Sequence, residues 1–475
     1  MRDFIHRKKV LLVGLGQLGG GIAAAKFFVR QGAKLTVTDA KSAIDLAQSV
    51  RQLKGLPITF HLGKHEEEDF LKNDVIVFNP AVSVFSPWAK FARKHRRAFY
   101  NDYTLFCDLL ASRKTMPAKG FVGITGTRGK TTVTTWVAYF AQPAVVGGNM
   151  PTAGLLKIIP RIKPDKNLVL ELSSYQLEYA DKKTISPHIA VMTNISPDHL
   201  NRYGDMKTYV GIKAKIFSGQ TKNDFLVLNA RDSWTPFFLK QKPKGAVYYF
   251  SSSPLAKKQN GVCAKGGDVW FFEKGCGQRI CAVPKNFSRH QQENLCAAMC
   301  AAHLYGVPWA TMVRRSAALP AIPFRQETIF DNGKLLVVND SASTSPEGTI
   351  AAIERFSHGG KPFFLICGGT DKRLDFVPLA RVIKKNLSPD RVLFLEGSAT
   401  TQLIRALRRL RYFSEQKPRM HVSLDEIAMA LQKERRGSIV FSPGAASFEK
   451  FKNEFDRGRR FTQLMRRSLK IQKQK

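Results

Sequence analysis

The glycine-rich stretch Thr125-Gly126-Thr127-Arg128-Gly129-Lys130-Thr131-Thr132 carries the residue types best suited to chemistry in this 475-residue chain. It follows the apolar run Phe121-Val122-Gly123-Ile124, which reads as a buried strand. It leads into Val133-Thr134-Thr135-Trp136-Val137, which reads as a helix. A glycine turn placed there lets backbone N–H groups close on phosphate oxygens at a helix N-terminus, where the dipole favours anions. Lys130 is then positioned for terminal phosphates, and the Thr131 hydroxyl for Mg²⁺. A second stretch, Glu171-Leu172-Ser173-Ser174-Tyr175-Gln176-Leu177-Glu178, starts where the strand-like Asn167-Leu168-Val169-Leu170 ends. Its Glu171 carboxylate is expected at a sheet edge, suited to a metal-bound nucleotide. A third, Thr193-Asn194-Ile195-Ser196-Pro197-Asp198-His199, adds His199 after the strand-like Ile189-Ala190-Val191-Met192.

These groups need parallel strands to bring them together, and the chain alternates strand-like and helix-like segments as such sheets require. A first α/β domain is expected over residues 1–112. It opens with the strand Lys9-Val10-Leu11-Leu12-Val13, the turn Gly14-Leu15-Gly16-Gln17-Leu18-Gly19 and a helix from Gly21 to Arg30. The strand Lys34-Leu35-Thr36-Val37-Thr38 then ends at Asp39, twenty residues after Gly19. That is the dinucleotide-binding fingerprint with its acidic residue, and taken alone it suggests a dehydrogenase. A second phosphate loop is superfluous in such an enzyme. The segment Arg113-Lys114-Thr115-Met116-Pro117 reads as a linker, followed by a central domain over 117–320 and a third domain over 321–475.

Composition sets further bounds. Hydrophobic residues make up 44% and charged ones 24%, a globular balance, and no apolar run reaches the ~20 residues that span a bilayer. The N-terminus enters a strand directly without a small-residue cleavage site, and the seven cysteines are scattered without zinc spacing. A cytoplasmic protein with reduced thiols is expected. The 75 Lys and Arg against 37 acidic residues give a net charge of +38, which raises nucleic acid or an anionic surface as a partner. The charges are spread along the chain, dense only at 405–411 and 457–475, with no recognition motif beside them. A solvated basic surface that steers anionic substrates accounts for them. A nucleic-acid-binding ATPase is the alternative that charge alone would suggest.

The short Gly126–Gly129 spacing, joined to Glu-Leu-Ser-Ser-Tyr-Gln-Leu-Glu and Asn-Ile-Ser-Pro-Asp-His-Leu, resembles the Mur ligase family of peptidoglycan synthesis. The resemblance covers nearly the whole chain. It implies three α/β domains: a Rossmann-like N-terminal domain, a central P-loop-type ATPase domain with a mostly parallel sheet, and a Rossmann-like C-terminal domain. It implies an ATP-dependent ligase that activates a carboxylate as an acyl phosphate and joins it to an amino acid, with two Mg²⁺ ions. Lys130, His199, Lys213 and Arg325 are then the catalytic set. ATP falls to Gly126, Thr127, Arg128, Gly129, Lys130, Thr131, Thr132, Asn294, Arg325 and Asp340, and metal to Thr131, Glu171, His199 and Lys213. Lys213, in Tyr209-Val210-Gly211-Ile212-Lys213, matches the family position of a lysine carbamylated by CO₂.

By the same resemblance, Gly16, Gln17, Leu18, Asp39, Asn79, Asn149 and Ser173 serve the UDP-sugar substrate. Gly-Gly-Thr-Asp-Lys at 368–372, Ser-Pro-Gly-Ala-Ala-Ser-Phe at 442–448 and the closing Phe-Asp-Arg-Gly at 455–458 are similar to members that add D-glutamate to UDP-N-acetylmuramoyl-L-alanine. Thr344, Lys372, Ser447 and Phe448 are then its D-glutamate residues. The alanine-adding members are the nearest alternative, nucleic acid is not expected as a partner, and a monomer is. The chain departs from the family pattern at Arg128 for asparagine, Leu18 for threonine, Gln291 for asparagine, Phe324 for histidine and Ala342 for lysine.

Overall fold

The computed structural model describes residues 5–17, 19–113, 116–150, 153–285, 287–357, 362–414 and 416–469. Leu18, two residues of the expected linker (Lys114 and Thr115) and the end of the basic tail lie outside them. The chain divides into two compact units, Met1–Pro320 and Ala321–Lys475. The first holds two sheets and the second holds one.

The first sheet joins β1 (Lys9–Val13), β2 (Lys34–Asp39), β3 (Ile58–Leu62), β4 (Val75–Phe78) and β5 (Phe99–Asn101) in the order β3-β2-β1-β4-β5. All pairs are parallel. β1 and β4 are apolar on both faces because both are covered, which is why they read as continuous hydrophobic runs. The order reverses between β1 and β4, so the loops after these two strands open a crevice. The helix α1 (Gly20–Arg30) follows the glycine turn. Gly19, at φ +92°, has open space around it. Gly21 is the packing glycine instead: a Cβ there would lie 2.1 Å from the Leu15 carbonyl oxygen.

The central sheet has nine strands: β6 (Val122–Thr125), β7 (Ala144–Gly148), β8 (Asn167–Glu171), β9 (Ile189–Met192), β10 (Phe225–Asn229), β11 (Ala246–Ser251), β12 (Gly261–Lys265), β13 (Asp268–Glu273) and β14 (Cys276–Ala282). Their order is β14-β13-β12-β11-β10-β9-β6-β8-β7, parallel except for the terminal β12-β13-β14 meander. β6 has β8 on one side and β9 on the other. The loops that leave these three strands therefore emerge together, and they carry the three stretches with which the sequence reading began. Helix α2 (Lys130–Phe140) starts directly from the glycine loop.

The second unit is a six-stranded sheet in the order β15-β16-β20-β17-β18-β19, built from β15 (Glu327–Asp331), β16 (Leu335–Asn339), β17 (Phe363–Cys367), β18 (Val392–Leu395), β19 (Arg419–His421) and β20 (Gly437–Phe441). Only β15 runs antiparallel. The apolar faces of its helices bury two separate cores, one on each side of the sheet. Among the described residues no helix is long and apolar enough to cross a membrane.

Candidate active site

The glycine loop is held from outside as much as by its own turns. Gly126 adopts φ +141°, and a Cβ there would fall 1.9 Å from Thr193 Oγ1. The Thr127 amide donates to the Asn194 carbonyl (2.8 Å), and the Arg128 amide to Asn194 Oδ1 (2.9 Å). The Arg128 carbonyl accepts from Thr193 Oγ1 (2.6 Å) and Asn194 Nδ2 (3.1 Å). The segment after β9 thus clamps the loop, and Gly129, at φ +78°, hands it to the N-terminus of α2. A Cβ at Gly129 would meet Asn294 Oδ1 at 2.4 Å, so Asn294 lies against the same loop. Asn294 belongs to the helix Arg289–Leu304, where Gln291 completes a capping box with Ser288.

Two lysine side chains converge on one backbone oxygen of this loop. Lys130 Nζ donates to the Gly126 carbonyl (3.1 Å) and the Thr127 carbonyl (3.0 Å). Lys213 Nζ donates to the same Gly126 carbonyl (2.8 Å) from the helix Met206–Ala214. Lys213 is 1% exposed, and its ammonium lies over the Tyr209 ring. Burial, followed by the charge of Lys130, pushes the Lys213 amine well below the usual lysine range. Next to this pair, Glu171 ends β8. Its Oε1 accepts from Asn149 Nδ2 (3.2 Å), while its buried Oε2 has no hydrogen-bond partner among the described residues. An uncommitted carboxylate oxygen beside a phosphate loop fits the hard-oxygen donor set that Mg²⁺ takes together with substrate phosphates.

His199 sits at φ 55° as the cap of a short helix, Leu200–Tyr203. One ring nitrogen, Nδ1, pairs with the Tyr175 hydroxyl (3.1 Å), and Nε2 lies 3.6 Å from Asp198. Arg128 Nη1 is also 3.6 Å from that carboxylate, so the extra charge introduced into the loop has an acidic partner.

In the first sheet, the loops after β1 and β4 meet: a Cβ at Gly14 would touch Asn79 Cβ at 3.1 Å. Asp39 uses both carboxylate oxygens on backbone amides, those of Gly16 (3.0 Å) and Lys41 (2.9 Å), and so shapes the turn. Gln17 donates to the Asp45 carbonyl (2.8 Å). Ser173 caps the helix Ser174–Leu177, accepting from the Gln176 amide (3.3 Å).

The second unit gathers Asp340, Thr344, Lys372, Ser447 and Phe448 on three loops at the carboxyl ends of β16, β20 and β17, which are neighbours in the sheet, while Arg325 precedes β15. Thr370 and Ala446 exchange backbone hydrogen bonds, which brings the Lys372 loop beside Ser447. Lys372 and Phe448 are exposed, while the buried Ser447 Oγ has no hydrogen-bond partner among the described residues. The Gly444 amide donates to the Ser343 carbonyl (3.1 Å), tying in the turn that carries Thr344. Beneath these loops lies Arg457, fully buried. It donates to Ser341 Oγ and to the carbonyls of Ser341, Ala445 and Ala446. The sequence reading gave Arg457 no role, although it stands in the closing Phe-Asp-Arg-Gly. Asp340 accepts from the Gln326 amide (3.0 Å) and Ser442 Oγ (2.7 Å). Arg325 lies near enough for its charge to act on Asp340.

A parallel sheet that presents a phosphate loop, an uncommitted carboxylate and a buried lysine at one switch point belongs to a nucleotide-dependent enzyme. The comparisons with known proteins narrow this. Residues 8–98 match the MurD-like N-terminal domain of Mur ligases, and residues 124–302 match the Mur ligase middle domain. The chain is 35% identical to a UDP-N-acetylmuramoylalanine–D-glutamate ligase of Roseiflexus, covering 96% of this chain and 98% of that one. It is 32% identical to the ligase of the same name from Treponema pallidum, covering 98% of each. The fold is similar to that of the UDP-N-acetylmuramate–alanine ligase of Thermotoga maritima, with a TM-score of 0.59, 20% identity and coverage of 97% and 100%. A MurF ligase from the same organism, solved with ADP, gives 0.56 at 16% identity, covering 99% and 97%. The chain belongs to the Mur ligase family, and within it to the branch of the UDP-N-acetylmuramoylalanine–D-glutamate ligases.

Asp340 makes the second unit pH-sensitive. Burial raises its carboxyl to about 7, against the opposing hydrogen bonds from Ser442 and Gln326 and the nearby Arg325 and Arg355. A group that holds its proton more tightly folded than unfolded adds stability that is complete below its ordinary pKa of 3.8 and is lost as pH rises through about 7. Guanidinium unfolding of the full chain should therefore show a midpoint that falls as pH rises from about 4 to about 7, relative to Asp340→Asn. Parallel profiles for the two proteins would assign the pH dependence to other groups.

Proposed function

We propose that the chain is a cytoplasmic, ATP-dependent ligase that adds D-glutamate to UDP-N-acetylmuramoyl-L-alanine by way of an acyl phosphate. The observation that carries this reading is the convergence of Lys130 and Lys213 on the Gly126 carbonyl beside the uncommitted Glu171 oxygen, a donor set suited to phosphates and a divalent cation. The substrate carboxylate oxygen attacks the γ-phosphorus of ATP, and ADP departs. The amine of D-glutamate then attacks the acyl carbon, and phosphate leaves with the former carboxylate oxygen. Neither step needs an enzyme nucleophile. Lys130 and Arg325 balance the charge that grows on the phosphates, a role best filled by preorganised cations. Arg325 suits it because its planar fork bonds phosphate bidentately.

Thr131 and Glu171 would hold Mg²⁺, whose chemistry is charge neutralisation on the phosphate chain. Lys213 is suited to carbamylation: its depressed pKa favours the neutral amine, whose nitrogen bonds to the CO₂ carbon and releases a proton. The anion so formed would neutralise the crowding with Lys130 and, with His199, supply hard oxygen and imidazole donors for a second Mg²⁺. The UDP end of the substrate is assigned to the crevice of Gly16, Gln17 and Asn79. Asn294 and Asp340 are assigned to ATP. Lys372 and the uncommitted Ser447 hydroxyl are assigned to the carboxylates of D-glutamate, with Thr344 and Phe448 beside them.

Phosphate release should require UDP-N-acetylmuramoyl-L-alanine, ATP, Mg²⁺ and D-glutamate together. Equal turnover with L-alanine and UDP-N-acetylmuramate would transfer the chain to the alanine-adding reaction.

Lys213→Ala should lower turnover by at least about 100-fold, the scale of losing one group that stabilises developing charge. Short carboxylates such as formate or acetate should restore part of it by filling the vacated space, whereas Lys215→Ala should show neither effect. Full activity in Lys213→Ala, or a folded variant that no small acid rescues, would remove the carbamate.

A further inference from the structure

An ion pair buried between the first two sheets takes no part in the chemistry above. The Glu178 side chain is 0% exposed and that of Arg202 11%. Arg202 Nε donates to Glu178 Oε1 (2.5 Å) and Nη2 to Oε2 (2.8 Å), a bidentate fork. The same guanidinium donates through Nη1 to the Ala81 carbonyl (2.8 Å) and through Nη2 to the Pro80 carbonyl (3.0 Å). Glu178 Oε2 also accepts from the Val84 amide (3.1 Å) and Ser83 Oγ (3.4 Å), and Tyr179 donates to the Val82 carbonyl (3.1 Å). Every residue from Pro80 to Val84 is thus bonded to the side chain of Glu178, Tyr179 or Arg202. This is the loop that leaves Asn79 and forms one wall of the crevice assigned to the UDP end.

The other side of the pair leads to the catalytic edge. Arg202 lies in the short helix capped by His199. Its guanidinium stacks 4.0 Å from the Tyr175 ring centroid, and the Tyr175 hydroxyl is bonded to His199. The path from Asn79 to His199 therefore passes through one guanidinium. If adhesion between the two sheets were the only requirement, apolar side chains would meet it, since a buried pair returns little net stability against a hydrophobic replacement of similar volume. A fork with four fixed acceptor directions supplies a defined distance and orientation instead.

We propose that Glu178 and Arg202 are positioning residues that set the span between the UDP crevice and His199, so that a substrate bound at one end presents its carboxylate at the other. The proposal rests on the ligase reading above. Arg202→Lys keeps the charge and loses the fork. The double variant Glu178→Gln/Arg202→Met removes both charges together, so that neither is left buried alone. In both, turnover of UDP-N-acetylmuramoyl-L-alanine should fall by up to about 100-fold, the scale of displacing a reacting group by roughly 1 Å, and the KM for that substrate should rise, while the KM for ATP stays within about twofold. Hydrogen exchange at the amides of residues 81–84 should quicken in both variants, a readout that needs no turnover. An unchanged KM for the UDP substrate in a folded double variant would overturn the proposal, and so would equal losses toward both substrates. Wild-type protein without D-glutamate-dependent turnover would sink the ligase reading alone, leaving the exchange measurement to judge the latch.

Discussion

Two lysine amines on one backbone carbonyl form the constraint around which the catalytic edge is built. The Gly126 oxygen accepts from Lys130 and from the buried Lys213. Burial disfavours a charge on Lys213, and the Lys130 cation adds to the effect. The arrangement needs a loop that does not yield, which explains the bonds from Thr193 and Asn194 and the absence of any room for a Cβ at Gly126. Anions relieve the crowding: phosphates bound on the loop, and a carbamate on Lys213 itself. The loop, the clamp behind it and the strand order that unites β6, β8 and β9 follow from keeping that carbonyl in place.

Two of the departures from the family pattern make physical sense in this setting. Arg128 adds a cation next to the phosphate site, but Asp198 stands 3.6 Å from it and offsets the charge. Phe324 replaces a histidine, and its ring occupies the space over Gly458, where a Cβ would come within 2.4 Å of it. The glycine of the closing motif is therefore fixed by the aromatic ring it faces. Ala342 is buried, with its amide bonded to the Phe324 carbonyl, and nothing in the structure explains the loss of the usual lysine there.

Much of the architecture could be read from the sequence because its signals are local. A continuous apolar run, a glycine turn and a helix start lie within about fifteen residues of one another, as at Phe121 to Val137. The parallel strand order then places Lys130, Glu171 and His199 on one edge without further information. Less legible were residues that act on distant backbone. Thr193 and Asn194 stand out in the sequence only as part of the stretch that supplies His199, yet in the fold their side chains grip the loop at Arg128. Glu178 and Arg202 are bonded to amides and carbonyls of residues 80–84, groups that any sequence carries, so spacing gives no sign of the partnership. The turn after β1 shows the same limit: its packing depends on how α1 is rotated, and that makes Gly21 rather than Gly19 the close contact.

The acyl phosphate is the central chemical claim, and oxygen transfer tests it most directly. UDP-N-acetylmuramoyl-L-alanine carrying ¹⁸O in its alanyl carboxylate should be turned over with unlabelled ATP and D-glutamate, and the released phosphate analysed by mass spectrometry. If the carboxylate attacks the γ-phosphorus and phosphate later leaves the acyl carbon, each phosphate formed from a labelled molecule carries one ¹⁸O. Phosphate without label, released alongside amide product, would mean that ATP is cleaved by another route and that the carboxylate is never phosphorylated.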